Sequence, residues 1–282
     1  MTFTVTAPGK LVVAGEYAVV DGGAAVVAAI DRGVRCTVEP GDELVTPGDD
    51  RFVRAALAAV QAPARRYVFE DAHPVDLADK PGFGGSAAAT VAACAAGLVA
   101  RGASLDDLLE TALAVHHEVQ GSGSGIDVRA SVGGGATRWP EGTTVELPPL
   151  SAVYSGRSAR TGPRVRRYLA WAGREAFVRA SDALVEALAE DPVAALEQLR
   201  ELLVAMSRDA GVDYWTDEHA HIARLAREHG GAAKPSGAGG GDVAVAIVPD
   251  PDARAAFEAA CAEADLPPIA VSLATLTVRP TR

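Results

Sequence analysis

The chain has 282 residues, 49% of them apolar, which suits either one large domain or two that share a cleft. Its formal net charge of -11 disfavours the broad basic face that salt-dependent nucleic-acid binding needs, so no nucleic-acid partner is expected and any anionic ligand must be held by a local cluster of positive groups. Cys36, Cys94 and Cys261 are too widely spaced for a disulfide framework or a zinc site, the first residues lack a signal-peptide pattern, and no apolar run approaches the roughly 18 residues of a membrane helix; a cytoplasmic protein with no membrane partner is expected.

In chain order, the first third reads as a meandering sheet. "FTVTAP", "KLVVAGEYAVV", "AAVVAAID" and "GVRCTVEP" are apolar or β-branched runs separated by Gly, Pro and Asp. A short helix is expected at "RFVRAALAAVQ" and a further strand at "RRYVFED". The Ala-rich run "SAAATVAACAAGLVARG" has helical length, so a buried helix should start near Ser86 and close at Gly102. Ser104 followed by Asp107 has the spacing of a capping box and would open a second helix, "LDDLLETALAVHHEVQ".

A Gly/Ser loop, "GSGSGIDVRASVGGG", comes next. In "TTVELPPLSAVYSGRS", Pro148 and Pro149 break two strands and mark the expected boundary between domains 1–150 and 151–282. From about 163 to 229 the pattern is helical, with Pro192 starting a helix after Asp191 and Gly211 interrupting another. The end reads strand, helix, strand: "DVAVAIVP", "PDARAAFEAACAEA" and "IAVSLATLTVRP". Strands and helices come in runs rather than strict alternation, which predicts an α+β chain of two lobes.

Arginine is the default cation, and the three lysines, Lys10, Lys80 and Lys234, each lie beside a glycine-bearing stretch: "APGKL", "DKPGFGGSAA" and "KPSGAGGG". A compact ammonium reaches a phosphate where a planar guanidinium does not, although chance surface placement is an even alternative for Lys80 and Lys234. "GFGGS", "GSGSGID" and "GAGGGD" expose backbone N–H groups with little side-chain cover, and Ser86 begins a helix whose N-terminal partial charge favours an anion. A single glycine loop reads more readily as a tight turn; three, with Lys10 after "APG", point to phosphate. The Walker A pattern is absent, and "GFGGSA" matches the dinucleotide fingerprint G-x-G-x-x-A without a preceding apolar strand.

"APGKLVVAGEYAVVDGG", "PGFGGSAAATVA" and "KPSGAGGGDVAVAIV" resemble, in order and spacing, the three motifs of the GHMP kinase superfamily, and they span nearly the whole chain. The resemblance implies an N-terminal lobe like ribosomal protein S5 domain 2, a ferredoxin-like C-terminal lobe, and ATP with Mg²⁺ in the cleft between them. Within the superfamily, "GSGSGID", Asp242 directly after "GAGGG", and "SGRSARTGPRV" most resemble the phosphomevalonate kinases; the mevalonate kinases are similar in the first and third motifs. The small-molecule substrate so implied is phosphomevalonate, on a monomer or homodimer. The middle motif departs from the usual G-L-G-S-S: Gly85 stands where a first serine is expected.

Carried onto this sequence, the resemblance gives Lys10 and Asp127 as catalytic residues and Lys80, Gly82, Gly84, Gly85, Ser86 and Ala87 as the ATP-phosphate loop. Ser86, with Glu118, is the candidate Mg²⁺ ligand. Acceptor contacts are expected from Glu16, Ser122, Ser124, Gly125, Arg157, Ser158, Arg160, Thr161, Gly237, Ala238, Gly239, Gly240 and Asp242, with Arg129 and Arg35 as weaker candidates. A phosphorylated acceptor needs extra cations in an acidic protein, and arginine binds phosphate in a bidentate fashion. Glu16 is read either as orienting Lys10 or the substrate loop, or as a sheet-edge carboxylate. Asp242 is read as a metal contact or a strand-start cap. His116 and His117, adjacent on a helix, face different ways and read as structural or exposed. Rival readings are another GHMP kinase, a non-catalytic ligand sensor with the same fold, and an NAD-binding oxidoreductase.

Overall fold

The computed structural model describes residues 2–77, 80–121, 123–159 and 161–281. The first lobe runs β1 (Phe3–Ala14), β2 (Ala25–Glu39), β3 (Leu44–Val45), α1 (Arg51–Ala59), β4 (Arg66–Asp71), α2 (Gly85–Ala100), α3 (Leu108–Gln120), α4 (Ile126–Gly133), β5 (Ala136–Trp139) and β6 (Thr143–Thr144). β1 joins what the sequence suggests as two strands. The register jumps from Ala7 opposite Val34 to Gly9 opposite Ile30, so residues 31–33 of β2 face Pro8 alone. The irregularity absorbs the one residue with no N–H for the ladder. Beyond Ala14 the expected strand ends: Tyr17 has φ 62, and Ala18–Asp21 form a 3-10 turn.

β2 likewise fuses two expected strands, and its burial explains its composition. Val34, Cys36 and Val38 pack with α2 residues Val91, Ala92 and Ala95, whereas Ala25 and Val27 face Ile126 and Ala130 of α4. Alanine carries α2 close to the sheet without breaking helical propensity. The capping box at Ser104 does not form. Its Oγ accepts instead from Asp106 N at 3.1 Å in a turn, and α3 starts three residues later than the Leu105 start expected.

The second lobe contains β7 (Leu150–Tyr154), α5 (Thr161–Ala170), α6 (Arg174–Ala187), α7 (Pro192–Ala210), α8 (Asp217–Glu228), β8 (Ala232–Pro235), β9 (Val243–Ile247), α9 (Pro251–Glu263) and β10 (Pro268–Ile269). Its antiparallel sheet has the order β10-β7-β9-β8. β9 is buried throughout because both faces are covered. Val153, Ala244 and Ala246 pack against Ile222 of α8 and Phe257 of α9; Ala152, Val243 and Ile247 share a core with Leu196 and Leu199 of α7 and with Leu11, Val26 and Ala28 of the first lobe. Asp191 accepts from Ala194 N at 3.0 Å and opens α7 with Pro192 in the first turn, as the sequence indicates, while Gly211 ends α7 rather than interrupting a helix.

The terminal run "IAVSLATLTVRP" is not one strand. Ile269 belongs to β10, whereas β11 (Thr277–Pro280) returns to the first sheet and pairs antiparallel with β1. Residues 151–282 therefore supply an edge strand to the lobe that 1–150 builds. Among the described residues no helix is long and apolar enough to cross a membrane, and the three cysteines are free and buried.

His219, in the first turn of α8, is 1% exposed, and burial pushes its imidazole from 6.5 down to about 4. The unfolded chain therefore takes up a proton that the folded one refuses, so this contribution to stability is full above pH 6.5 and is lost as pH falls towards 4, by roughly 3 kcal/mol. In His219→Gln, the drop in urea-unfolding free energy between about pH 7 and about pH 4.5 should shrink by an amount of that order. An unchanged drop would contradict the assignment.

Candidate active site

The site is built where the three glycine-bearing motifs meet. Lys10 lies on β1, its N–H bonded to the carbonyl of Phe83 at 2.9 Å, which fixes the first motif to the second. Val12 N donates to Ser236 Oγ at 2.8 Å, fixing the first to the third. The Lys10 side chain is 10% exposed, and its Nζ lies 3.9 Å from Oδ1 of Asp127. Asp127 sits in the first turn of α4, after Gly125 in the left-handed conformation, φ 73.

Gly84 ends the approach to α2 with φ 73, and a Cβ there would lie 3.0 Å from Lys10 Cγ and 3.5 Å from Asp127 Oδ2. Glycine is required both by the backbone and by the pair it covers. The N-termini of α2 and α4 thus converge on one ammonium and one carboxylate. Each helix leaves its first-turn N–H groups without intrahelical partners, so the locality is positive and suited to an anion.

A cavity of about 140 Å³ opens on the pair, lined by Lys10, Glu16, Tyr17, Asp127, Thr161 and Gly237 among others. Ser124, Gly125 and Ala238 also line it. A second groove, of about 290 Å³, runs past Thr46, Phe52, Lys80, Gly85 and Ser86. A Cβ at Gly85 would meet no atom within 4 Å, so the missing serine leaves open space on that side rather than a filled contact. Ala87 is buried in the first-lobe core, which leaves only its main-chain N–H for an anion.

His116 is the wall between the two spaces. It lines the smaller cavity, its Nε2 lies 3.3 Å from Ser86 Oγ, and its ring packs 5.3 Å from Phe52. Burial lowers its pKa, which favours the neutral imidazole. In sequence it reads, with His117, as structural or exposed; it is buried. Its signal was the buried stripe Ala112, Val115, His116 on α3, the i, i+3, i+4 spacing of an inward face. Glu118 is exposed and lies about 200° around the helix from His116, so it does not face Ser86 as a metal ligand would. Among the described residues no group of three or more His, Cys, Asp and Glu side chains could hold a metal ion.

Glu16 is neither a partner of Lys10 nor a sheet-edge carboxylate. It is 2% exposed and bonded through Oε1 to Lys234 Nζ, with Gly237 N donating to the same oxygen at 3.4 Å. Lys234 is itself 1% exposed, which rules out surface placement, whereas Lys80 is exposed.

Asp242 acts as a clasp. It has φ 58, its N–H donates to Arg157 O at 2.8 Å, its carbonyl accepts from Ser155 N at 2.9 Å, and its Oδ1 accepts from Ala159 N at 3.1 Å. Ser158, exposed, also bonds the carboxylate, and burial raises the carboxyl's pKa. A Cβ at Gly82 would lie 2.6 Å from that carboxyl carbon. Asp242 thus ties residues 155–159 to its own glycine loop and lies close against Gly82 of the other.

Other expected acceptor contacts are placed elsewhere. The guanidinium of Arg157 is paired with Glu218, whose carboxyl that pairing holds at about 2. Arg129 stacks on Trp139 at 5.1 Å and Arg35 bonds Glu70 at 3.1 Å. Ser122 and Arg160 lie outside the described residues. Gly239 and Gly240 are glycine for internal reasons: a Cβ at the first would lie 2.6 Å from the Tyr214 carbonyl oxygen, and one at the second would strike the Arg164 guanidinium. Because Gly239 also has φ 65 against the fully buried Tyr214, Gly239→Ala should destabilise the fold by about 2 kcal/mol or more, read as a lower urea midpoint. An unchanged midpoint would contradict that packing.

The family model for the GHMP kinases N terminal domain matches residues 55–135, and the GHMP kinases C terminal model matches residues 184–265. The mevalonate kinase of Archaeoglobus fulgidus is 32% identical over 84% of this chain and 89% of its own length. The phosphomevalonate kinase of Streptomyces sp. strain CL190 is 29% identical over 86% of this chain and 88% of its own. Among solved structures, the Lin0012 protein of Listeria innocua superposes with a TM-score of 0.90 at 22% identity, covering 99% of both chains.

Proposed function

This chain belongs to the GHMP kinase family, and from that membership we propose that it transfers the γ-phosphoryl group of ATP to (R)-5-phosphomevalonate, giving 5-diphosphomevalonate and ADP in the mevalonate route to isoprenoids. The observation that carries the chemistry is the Lys10–Asp127 pair at 3.9 Å, beneath Gly84 at the N-terminus of α2. The same reading makes it a cytoplasmic enzyme, monomer or homodimer, with no nucleic-acid or membrane partner.

Phosphoryl transfer depends mainly on positioning and on positive charge around the equatorial oxygens. The first-turn N–H groups of α2 and the exposed Lys80 would hold the ATP phosphates along the larger groove. The smaller cavity would hold the acceptor. Mg²⁺ bound with the nucleotide would supply further positive charge at the phosphates, and the Ser86 hydroxyl would be its side-chain ligand, since a site that takes Mg²⁺ with substrate phosphates needs few protein ligands. An acceptor oxygen attacks the γ-phosphorus as the bond to the β-phosphate oxygen breaks, and ADP leaves. Lys10 neutralises charge on the transferred group, and Asp127 orients the ammonium.

For the acceptor, support comes from the likeness to a phosphomevalonate kinase and from the Asp242 clasp, which sets the 155–159 loop just before Thr161 enters the cavity wall. A second reading, mevalonate, is favoured by one observation. Lys10 is the one lysine or arginine among the described residues lining the cavity, fewer cations than a phosphorylated acceptor calls for. ADP release with ATP and mevalonate, phosphomevalonate or sugar alcohols decides. Turnover of phosphomevalonate alone is the expected result; turnover of mevalonate alone would replace the acceptor, and nucleotide binding with no turnover would favour a sensor.

A further inference from the structure

The Lys234–Glu16 pair joins residues 218 positions apart and is buried on both sides, at 0% and 1% side-chain exposure. It sits within a set of cross-motif bonds: Val12 N to Ser236 Oγ at 2.8 Å, Tyr17 OH to Ala238 O at 2.6 Å, and Gly237 N to Glu16 Oε1 at 3.4 Å. Backbone bonds of this kind are enough to dock one motif on the other. A buried ion pair adds little net stability beyond them, because desolvation of both charges offsets their attraction.

Glu16 is left half-used. Lys234 and Gly237 both address Oε1, while Oε2 is buried with no hydrogen-bond partner, and the residue lines the cavity that Lys10 and Asp127 also line. A buried carboxylate oxygen without a donor is costly, and in a residue that lines a ligand cavity it calls for a donor that the protein's own groups do not supply. An isolated carboxylate there would also repel any anionic acceptor. The Lys234 ammonium, which bonds the Pro235 carbonyl at 3.2 Å as well, cancels that charge from behind the cavity wall.

We infer that Lys234 is a positioning residue for the acceptor: it pins Oε1 and neutralises Glu16, so that Oε2 accepts a hydrogen bond from a hydroxyl of an anionic acceptor. This rests on the kinase reading above. Lys234 itself touches no substrate.

The test compares wild type, Glu16→Gln, Lys234→Met and the double variant, with separate KM values for ATP and for whichever acceptor the wild type turns over. Glu16→Gln should raise the acceptor KM about tenfold, as expected for one lost bond to a charged group, and leave the ATP KM within about twofold. Lys234→Met, which exposes the acceptor to an uncompensated carboxylate, should raise the acceptor KM by more, about a hundredfold. The double variant should return to the Glu16→Gln level. An acceptor KM within about twofold of wild type in folded Lys234→Met, or an equal rise in the ATP KM, would overturn the inference. If the uncompensated charge prevents Lys234→Met from folding, the double variant carries the test, because it buries no unpaired charge: equality with Glu16→Gln supports the role, and a further loss of about tenfold or more overturns it. Wild type inactive on every acceptor would defeat the kinase reading itself, whereas an active wild type with unaltered variants defeats only the role of Lys234.

Discussion

Lys10→Met is expected to lower kcat by about a thousandfold while leaving the KM for ATP within a few-fold, since a fixed cation at the transferred group acts mainly in the transition state. The magnitude follows from preorganisation. The Lys10 side chain is 10% exposed, its stem lies against Gly84 and its ammonium is held beside Asp127, so water cannot take its place without rearrangement. Its methionine replacement is of similar length and leaves Asp127, already 35% exposed, free to be solvated, so the fold should survive. Steady-state kinetics alongside a melting curve separate the two effects. A kcat within tenfold of wild type in a folded variant would remove Lys10 from the chemistry.

Asp127→Asn is expected to lower kcat by about a hundredfold, and the acceptor determines why. A phosphate monoester has a second pKa of about 6 and is largely deprotonated near neutral pH, so it needs little help from a general base. With phosphomevalonate the loss should come from the orientation of Lys10, whose only acidic partner within 4.0 Å among the described residues is Asp127. The pH–rate profile should then keep its shape at reduced height. With an alcohol acceptor the carboxylate would have to remove a proton, and the variant would lose the limb belonging to an acidic group. A changed profile with phosphomevalonate, at unchanged substrate and metal affinity, would contradict the orientation role.

The parts of the site that sequence makes legible are those carried by local grammar. Glycine-rich loops beside lysines announce phosphate, and Lys10, Asp127 and Gly84 do meet. Helix starts with a strong local cause also appear where expected, as at Asp191–Pro192. What escapes is pairing at long separation. Nothing near Lys234 indicates that its ammonium reaches Glu16, and nothing near Gly239 and Gly240 indicates that Tyr214 and Arg164 fill the space their side chains would take. The return of β11 to the first sheet depends likewise on a partner strand at the other end of the chain. Arg157 shows the opposite error. It has the right chemistry for a phosphate, yet Glu218, in the first turn of α8, takes its guanidinium. At Glu118 the composition was suitable and the helical phase was wrong, while His116 had the right phase and an unexpected side chain.

The most direct test of phosphomevalonate as acceptor is phosphorus NMR of the protein with ATP, Mg²⁺ and an equal mixture of mevalonate and phosphomevalonate. ADP should appear together with the coupled pair of resonances of a new diphosphate ester, while mevalonate persists. Growth of a monophosphate ester resonance at the expense of mevalonate, with no new diphosphate beyond ADP, would contradict it.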